Sequence, residues 1–468
     1  MRPMGQKTAF RILCEDEIKL IHEKTLTILE EIGVRVMHEE GRKVLEGGGA
    51  KRASDSLIRI PSKMVEGALK TAPNSIEIYT REGNLSMVLD GKGTYYGAPS
   101  DSFFILDYET DGKRPFLIGD VETVAKVIDF LPNMHFIHSA GLLPKEKPER
   151  ATRLAFSECF KNTKKPICFL ANDPDSCRAI IDFCTRFSGG KESFGAKPFV
   201  YHYSEPISPL LHSEEGIEKV LLCADFHVPL VYMPYCLMGG TSPVTIAGAL
   251  AQCNAEVLSG LVIQQLRNPG SPFIYGTMPA PIDMRTTTGL YGAPELHLAI
   301  AASREIARHY GLPFFGTAGT SDSKHLDYQS VMEAVMSCLL TGLSGPDLAH
   351  DVGFIDHSNI ISPELIVLTN EIISMVQPLT QGIAVTEETL AIDLIRKVGL
   401  EKRSFIEDDH TYSHFREFWY PELLDRSMED ETPQLSQKVK EKLKIILRDH
   451  QVDPPAREVL EDLERLVW

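Results

Sequence analysis

The sequence is short of basic charge. It has 48 Lys and Arg against 65 Asp and Glu, a net charge of -17 and a pI near 5.4. That excludes nucleic acid as a general partner and offers nothing to hold an anionic membrane surface. No run of about 18 apolar residues is present, so no transmembrane helix is expected. Met1–Phe10 carries Arg and Lys but no apolar segment, so no signal peptide is expected, and the cytoplasm is the expected location. The nine cysteines are scattered, with no CxxC pair and no zinc-like Cys/His spacing. They read as buried, reduced thiols, and no metal is expected. No Gly-x-Gly-x-x-Gly follows the first strand, so a dinucleotide site has no support.

What is there begins with the stretch from Pro313 to His357. Two short apolar runs, Leu312–Phe315 and Leu348–Phe354, each end in a cluster of Gly, Ser, Asp or His, with an amphipathic segment between them. That is the pattern of consecutive β-α units whose polar groups gather at the strand C-terminal ends. The unit recurs at 92–99, His135–Gly141, Pro166–Asn172, Pro198–Tyr203, Pro229–Tyr235, Pro272–Thr277, Pro313–Gly319 and Leu348–Phe354. Proline is tolerated at the first residue of a strand, and five of these runs begin with it. About eight units close a parallel barrel. The expected fold is therefore α/β: a (β/α)8 TIM barrel over residues 91–362. An α+β cap over 1–90 precedes it and a helical extension over 363–468 follows. The open doubly wound sheet is the alternative.

In such barrels the chemistry sits at the strand C-terminal ends. Residues collected there include Tyr95, Tyr96, Asp101, His202, Tyr203, Glu205, Tyr235, His350, Phe354 and His357, with the loop Gly319–Lys324. Clustered aromatic faces bind cations, quaternary ammonium groups above all. Taken singly, most of these tyrosines would simply pack the barrel. His350 and His357 lie seven residues apart, which is no recognised ligand spacing. Lys324 reads as a solvated lysine rather than a Schiff-base one. Gly239-Gly240-Thr241 lacks the rest of a phosphate loop.

Three runs carry a resemblance to a known family. Gly-Thr-Ser-Asp-Ser-Lys at 319–324 is followed by Asp327 and Gln329. The others are Pro-Tyr-Cys-Leu-Met-Gly-Gly-Thr-Ser-Pro-Val-Thr at 234–245 and Gly-Leu-Tyr-Gly-Ala-Pro-Glu at 289–295. Together they resemble the trimethylamine:corrinoid methyltransferase family. The resemblance implies a barrel enzyme that moves a methyl group from an amine to the cobalt of a corrinoid carried by a separate protein. The chain has only the twenty standard residues, so it is similar to the branch without pyrrolysine, whose substrates are quaternary amines such as glycine betaine. Proline betaine and carnitine-like compounds stay open.

The implied partners are a corrinoid protein and the small-molecule amine, with a homo-oligomer suggested by the helical C-terminus. On this reading Tyr95, Tyr96 and Phe354 surround the methyl groups, while His350, or His357, holds a substrate carboxylate. His202, Tyr203 and Tyr235 also line the substrate site, and Gly319, Thr320, Ser321 and Asp322 face the corrinoid. No catalytic acid or base is assigned. Two other readings compete: a barrel lyase or hydrolase using His202 and Glu205, and a non-catalytic betaine-binding protein.

Overall fold

A computed structural model describes residues 9–139, 142–401, 404–429 and 431–468. The expectations for residues 1–8 and for the end of a strand at Gly141 fall outside that range. Eight strands close on themselves: β1 (Tyr95–Gly97), β2 (Met134–His138), β3 (Ile167–Phe169), β4 (Val200–Ser204), β5 (Leu230–Tyr232), β6 (Phe273–Gly276), β7 (Phe314–Thr317) and β8 (Leu348–His350). All adjacent pairs are parallel, and the ring closes where Leu348 and Ala349 pair with Tyr95 and Tyr96. Each expected unit supplies one strand, so the barrel replaces the open-sheet alternative.

The helices between the strands are α1 (Ile118–Phe130), α2 (Pro148–Asn162), α3 (Pro174–Phe187), α4 (Glu214–Phe226), α5 (Ile246–Arg267), α6 (Pro294–Tyr310) and α7 (Tyr328–Ser344). α8 (Pro363–Gln381) follows β8. α2, α3, α6 and α8 open with proline, whose fixed φ and missing N–H suit the first turn. A division of the chain at residue 362 falls just before α8, which packs between α7 and α1 and completes the outer ring.

Asp347 pins the N-terminal ends of three strands. Its carboxylate accepts the Gly91 and Phe314 N–H groups at 2.6 and 2.9 Å, and its carbonyl accepts Tyr95 N–H at 2.9 Å. The same end of the barrel is stoppered by a hairpin, Ile76–Tyr79 with Leu85–Leu89. Ile78, Met87 and Leu89 of that hairpin are fully buried.

The N-terminal helices Glu15–Thr27, Glu39–Gly47 and Ser62–Thr71 pack on α5. Asn254 of α5 ties the two together, donating to Thr25 Oγ1 (2.9 Å) and Tyr310 Oη (2.8 Å) and accepting from the Tyr275 hydroxyl (2.9 Å). This buried amide is satisfied on both its ends, as buried polar groups must be. α5 is long and apolar enough to cross a bilayer by length and composition alone. Most of it is buried among α4, α6 and the N-terminal helices, so its apolarity serves this core.

Past α8 come α9 (Glu387–Leu390), α10 (Ile392–Glu401), α11 (Asp409–His414), α12 (Leu435–Asp449) and α13 (Arg457–Val467). α12 packs on α8 and α1, and α13 packs on α2 and α3. Every cysteine except Cys14 is buried and none is in a disulfide.

Candidate active site

Side chains alternate across a strand, so only every second residue points into a barrel. In β2 and β4 that selects Phe136 and His138, and Tyr201 and Tyr203; Phe315 of β7 and His350 of β8 complete the set. Phe136 meets Tyr201 edge-on at 5.8 Å. Beside them is a layer of four rings: His138, Tyr203, Phe315 and His350. Phe315 stacks on His350 at 4.4 Å, His138 lies 5.5 Å from His350, and Tyr203 lies 6.0 Å from Phe315. β1 contributes no ring here because Gly97 must be bare: a Cβ there would come within 2.2 Å of the Phe136 ring. The four rings form the floor of the barrel mouth.

Neither ring nitrogen of His138 hydrogen-bonds protein among the described residues, and the same holds for His350. Burial, reinforced by the neighbouring His350, holds the His138 pKa well below its ordinary value, so that ring is neutral near pH 7. His350 Nδ1 lies 2.6 Å from Asp351 Oδ1, close but not aligned for a hydrogen bond. Asp351 sits at φ +71°, a left-handed conformation uncommon outside glycine, and its other oxygen accepts the Thr317 hydroxyl at 3.0 Å. That bond and the Asp351 N–H to the Ala98 carbonyl (3.3 Å) keep the carboxylate beside His350.

More carboxylates stand around the floor. Glu205 accepts the Tyr203 hydroxyl at 3.2 Å, and enclosure raises its pKa. Asp101 is pushed up to about 7, first by burial and then by the charge of Glu205. Tyr235 and Tyr291 lie with ring centres 6.0 Å apart, and burial pushes Tyr235 up to about 12, so it stays a neutral phenol. Lys219, the cation acting on Glu205, donates its ammonium to the Ala171 carbonyl at 2.9 Å. Carboxylates over a floor of four rings therefore set the character of the mouth.

The loop 319–324 is latched from below. Glu333 of α7 accepts from the Ser321 hydroxyl (2.5 Å) and the Asp322 N–H (2.9 Å). Ser321 N–H reaches the Phe354 carbonyl at 2.9 Å. Asp322 in turn takes the Tyr291 and Gly292 N–H groups at 2.8 and 2.9 Å, just ahead of α6, and lies 3.0 Å from His357 Nδ1. This contact raises the His357 pKa.

Several expected site residues lie elsewhere. Tyr95 is at the stoppered end, its hydroxyl accepting Val88 N–H at 3.1 Å. Tyr96 points out between the helices, its hydroxyl against Gly342 of α7. His202 also faces outward, its ring tilted against Phe169 at 4.7 Å with Nδ1 2.9 Å from the Phe169 carbonyl. A His202–Glu205 pair is therefore not assembled. Phe354 is buried in a small sheet beside the mouth and is 1% exposed. Gly319, Thr320 and Ser321 are buried, so they support the rim from beneath rather than facing a partner. The mouth does contain Tyr203, Tyr235 and His350, with Asp322 and His357 at its rim. Sequence reasoning left out His138, Phe315, Tyr291 and Glu333. A signal for His138 was available, since it shares its strand face with Phe136.

Comparisons with known proteins give the family and the fold. Residues 2–463 match the family model described as trimethylamine methyltransferase (MTTB). The chain is 32% identical over 439 residues to a glycine betaine methyltransferase of Desulfitobacterium hafniense strain Y51, covering 91% of this chain and 89% of that one. It is 30% identical to the trimethylamine methyltransferase MttB2 of Methanosarcina mazei, covering 97% and 93%. Among solved structures, the monomethylamine methyltransferase MtmB of Methanosarcina barkeri superposes with a TM-score of 0.50 at 14% identity, over 98% of this chain and 90% of that one. The last likeness concerns the fold alone.

Proposed function

Because the chain belongs to the trimethylamine methyltransferase family, and is thus a methyltransferase of the methylamine and betaine kind, we propose a more specific reaction for it. It moves a methyl group from a quaternary amine, glycine betaine first, to the Co(I) of a corrinoid carried by a separate cytoplasmic protein. The observation that carries this reading is the mouth itself: four rings as a floor, with carboxylates around them. An onium ion is the ligand such a box suits, since its charge is spread over methyl groups that make no strong hydrogen bonds. His138, held neutral by burial, does not repel that charge.

The corrinoid's reduced cobalt supplies the nucleophile. The leaving group is a neutral tertiary amine, so no proton has to be delivered to it. The task left to this chain is to hold the methyl carbon toward the open mouth and to keep water away. The rings must not grip too hard, because positive charge on nitrogen falls as the methyl leaves, and tight cation binding would favour the ground state. Binding therefore has to come from the far end of the substrate. We assign a betaine's carboxylate to His350, whose ring nitrogens no protein group among the described residues takes up by hydrogen bonding. His357 is already engaged by Asp322. The latched loop 319–324 supports from beneath the rim that meets the corrinoid protein, with Lys324 its exposed cation.

The test is to mix the protein with glycine betaine and chemically reduced cobalamin under anaerobic conditions and follow the absorbance of the methylated corrinoid. Accumulation together with dimethylglycine is expected. Failure with glycine betaine, proline betaine and carnitine alike would overturn the reading, as would substrate turnover without cobalamin.

A further inference from the structure

A second cavity, of about 380 Å³, opens on the outside of the barrel near the start of α8. Four pieces of chain build it. Leu106 and Asp111 come from the hairpin Phe104–Leu106 with Lys113–Pro115, whose first strand pairs with Ile360–Ile361 just ahead of α8. His325 and Leu326 follow the rim loop directly. Glu364 is the second residue of α8, and Lys440 comes from α12. None of these residues belongs to the ring floor.

Glu364 is the unusual member. It is 3% exposed, and its Oε1 is buried without a hydrogen-bond donor among the described residues. A buried carboxylate oxygen left in that state is costly, and buried polar atoms are normally paired. Lys440 Nζ stands 3.9 Å away and donates to Asp111 instead. The lining therefore sets two carboxylates, Asp111 and Glu364, against one ammonium, with His325 beside them. Lys444 acts on Glu364 from further along α12. Leu106 and Leu326 add an apolar wall. An occupant that completes this lining is small, positively charged and partly apolar, and it has a hydrogen to give to Glu364.

We propose that the cavity is a second ligand site that takes a small protonated amine, an ammonium with short alkyl groups and at least one N–H donating to Glu364 Oε1. That requirement sets it apart from the mouth, because a quaternary ammonium has no N–H to give. A tertiary amine left by demethylation takes a proton from water near pH 7 and then has one. The site thus registers product rather than substrate, a role that rests on the reaction proposed above, although the binding itself does not. His325 links the site to the rim. Its N–H donates to Ser323 Oγ at 3.3 Å, and the Ser323 N–H donates to Ser321 Oγ of the latched loop at 2.9 Å. Burial raises the Glu364 pKa to about 7, with Lys440 and Lys444 pulling it down and Asp111 pushing it up. Its carboxylate form therefore grows between pH 6 and pH 8, and ammonium binding grows with it.

Amide hydrogen exchange on the full chain tests this, with trimethylammonium chloride as the probe and tetramethylammonium chloride as the control that lacks an N–H. At pH 8 trimethylammonium should add protection across 107–112 and 435–441, and tetramethylammonium should add none there. The dissociation constant read from that protection should be roughly tenfold weaker at pH 6. Glu364→Gln should weaken it roughly 10- to 100-fold. Asp111 lies at a hairpin turn with φ +57°, a conformation asparagine also adopts. Asp111→Asn should therefore keep the fold and still weaken binding, since Lys440 is freed to pair with Glu364. Equal protection by the two cations overturns the proposal. So does no protection by trimethylammonium, the result of a cavity that holds only water, or a Glu364→Gln variant that binds as wild type does. Binding is read without turnover, so failure here leaves the methyl-transfer reading standing, and the reverse holds as well.

Discussion

His350 and Asp101 are the two residues on which the chemistry of the mouth turns. Removing His350 should remove the hold on a substrate carboxylate. A hydrogen bond to a charged group contributes about 1.5–3 kcal/mol, so His350→Ala should raise KM for glycine betaine roughly 10- to 100-fold. Tyr96→Phe, behind the barrel wall, should leave KM within about twofold; steady-state kinetics on the pair checks both. Asp101 gives a pH signature. Its carboxyl is raised from 3.8 to about 7, so it is mostly neutral below pH 7 and negative above. An onium substrate is drawn in by the negative form, and kcat/KM should rise with pH through about 7. Asp101→Asn should flatten that rise. A raised carboxyl pKa also means that the folded state binds the extra proton, so this group costs stability as pH climbs from about 4 toward 7. Asp101→Asn should therefore melt higher than wild type at pH 8 while turning over more slowly.

At the scale of elements, the rim depends on α7. Glu333→Ala frees the Ser321 hydroxyl and the Asp322 N–H together, and about 1–3 kcal/mol is at stake for each buried group left unpaired. The expected result is a melting point lower by several degrees and a loss of at least about tenfold in kcat/KM; Glu333→Gln, which still accepts one bond, should recover part of both. Gly97→Ala tests the barrel itself, because the new methyl meets the Phe136 ring. Overpacking of that kind costs about 1–3 kcal/mol, read in a denaturant titration.

The eight strands were legible in the sequence because each apolar run, five opened by proline, is followed by a cluster of Gly, Pro, Ser or Asp and then a helical segment. Which residues of a run point inward was not. A parallel strand is covered on both faces, so its pattern is nearly continuous rather than alternating. His202 looks as well placed as Tyr203, yet one step along the strand turns it outward. Tyr95 and Tyr96 fail for a related reason: β1 is only three residues long. Its first residue reaches the stoppered end and its second the helices. The latch at Glu333 joins groups on a loop and a helix, and no local spacing announces it.

For the molecule as a whole, α12 and α13 act as an outer brace. They bury Val439, Leu443, Ile446, Leu463 and Leu466 against the barrel helices. At about 1.5–3 kcal/mol for each such side chain, an upper estimate, the brace contributes on the order of 10 kcal/mol. That is comparable with the whole stability of an ordinary domain, about 5–15 kcal/mol. Truncation after Glu431 should therefore yield an aggregating protein or one whose melting point falls by more than about 10 °C. Circular dichroism and sedimentation would show which.

The hairpin at 76–89 has a consequence for order of events. With one end of the barrel corked, everything that reaches the ring floor must use the single remaining doorway. On the reading proposed above, the amine enters first, the carrier then closes the entrance, and the demethylated product waits inside until the carrier departs. Such a queue is compulsory, and in product-inhibition kinetics it separates from random entry: excess carrier should slow turnover by trapping spent amine behind it.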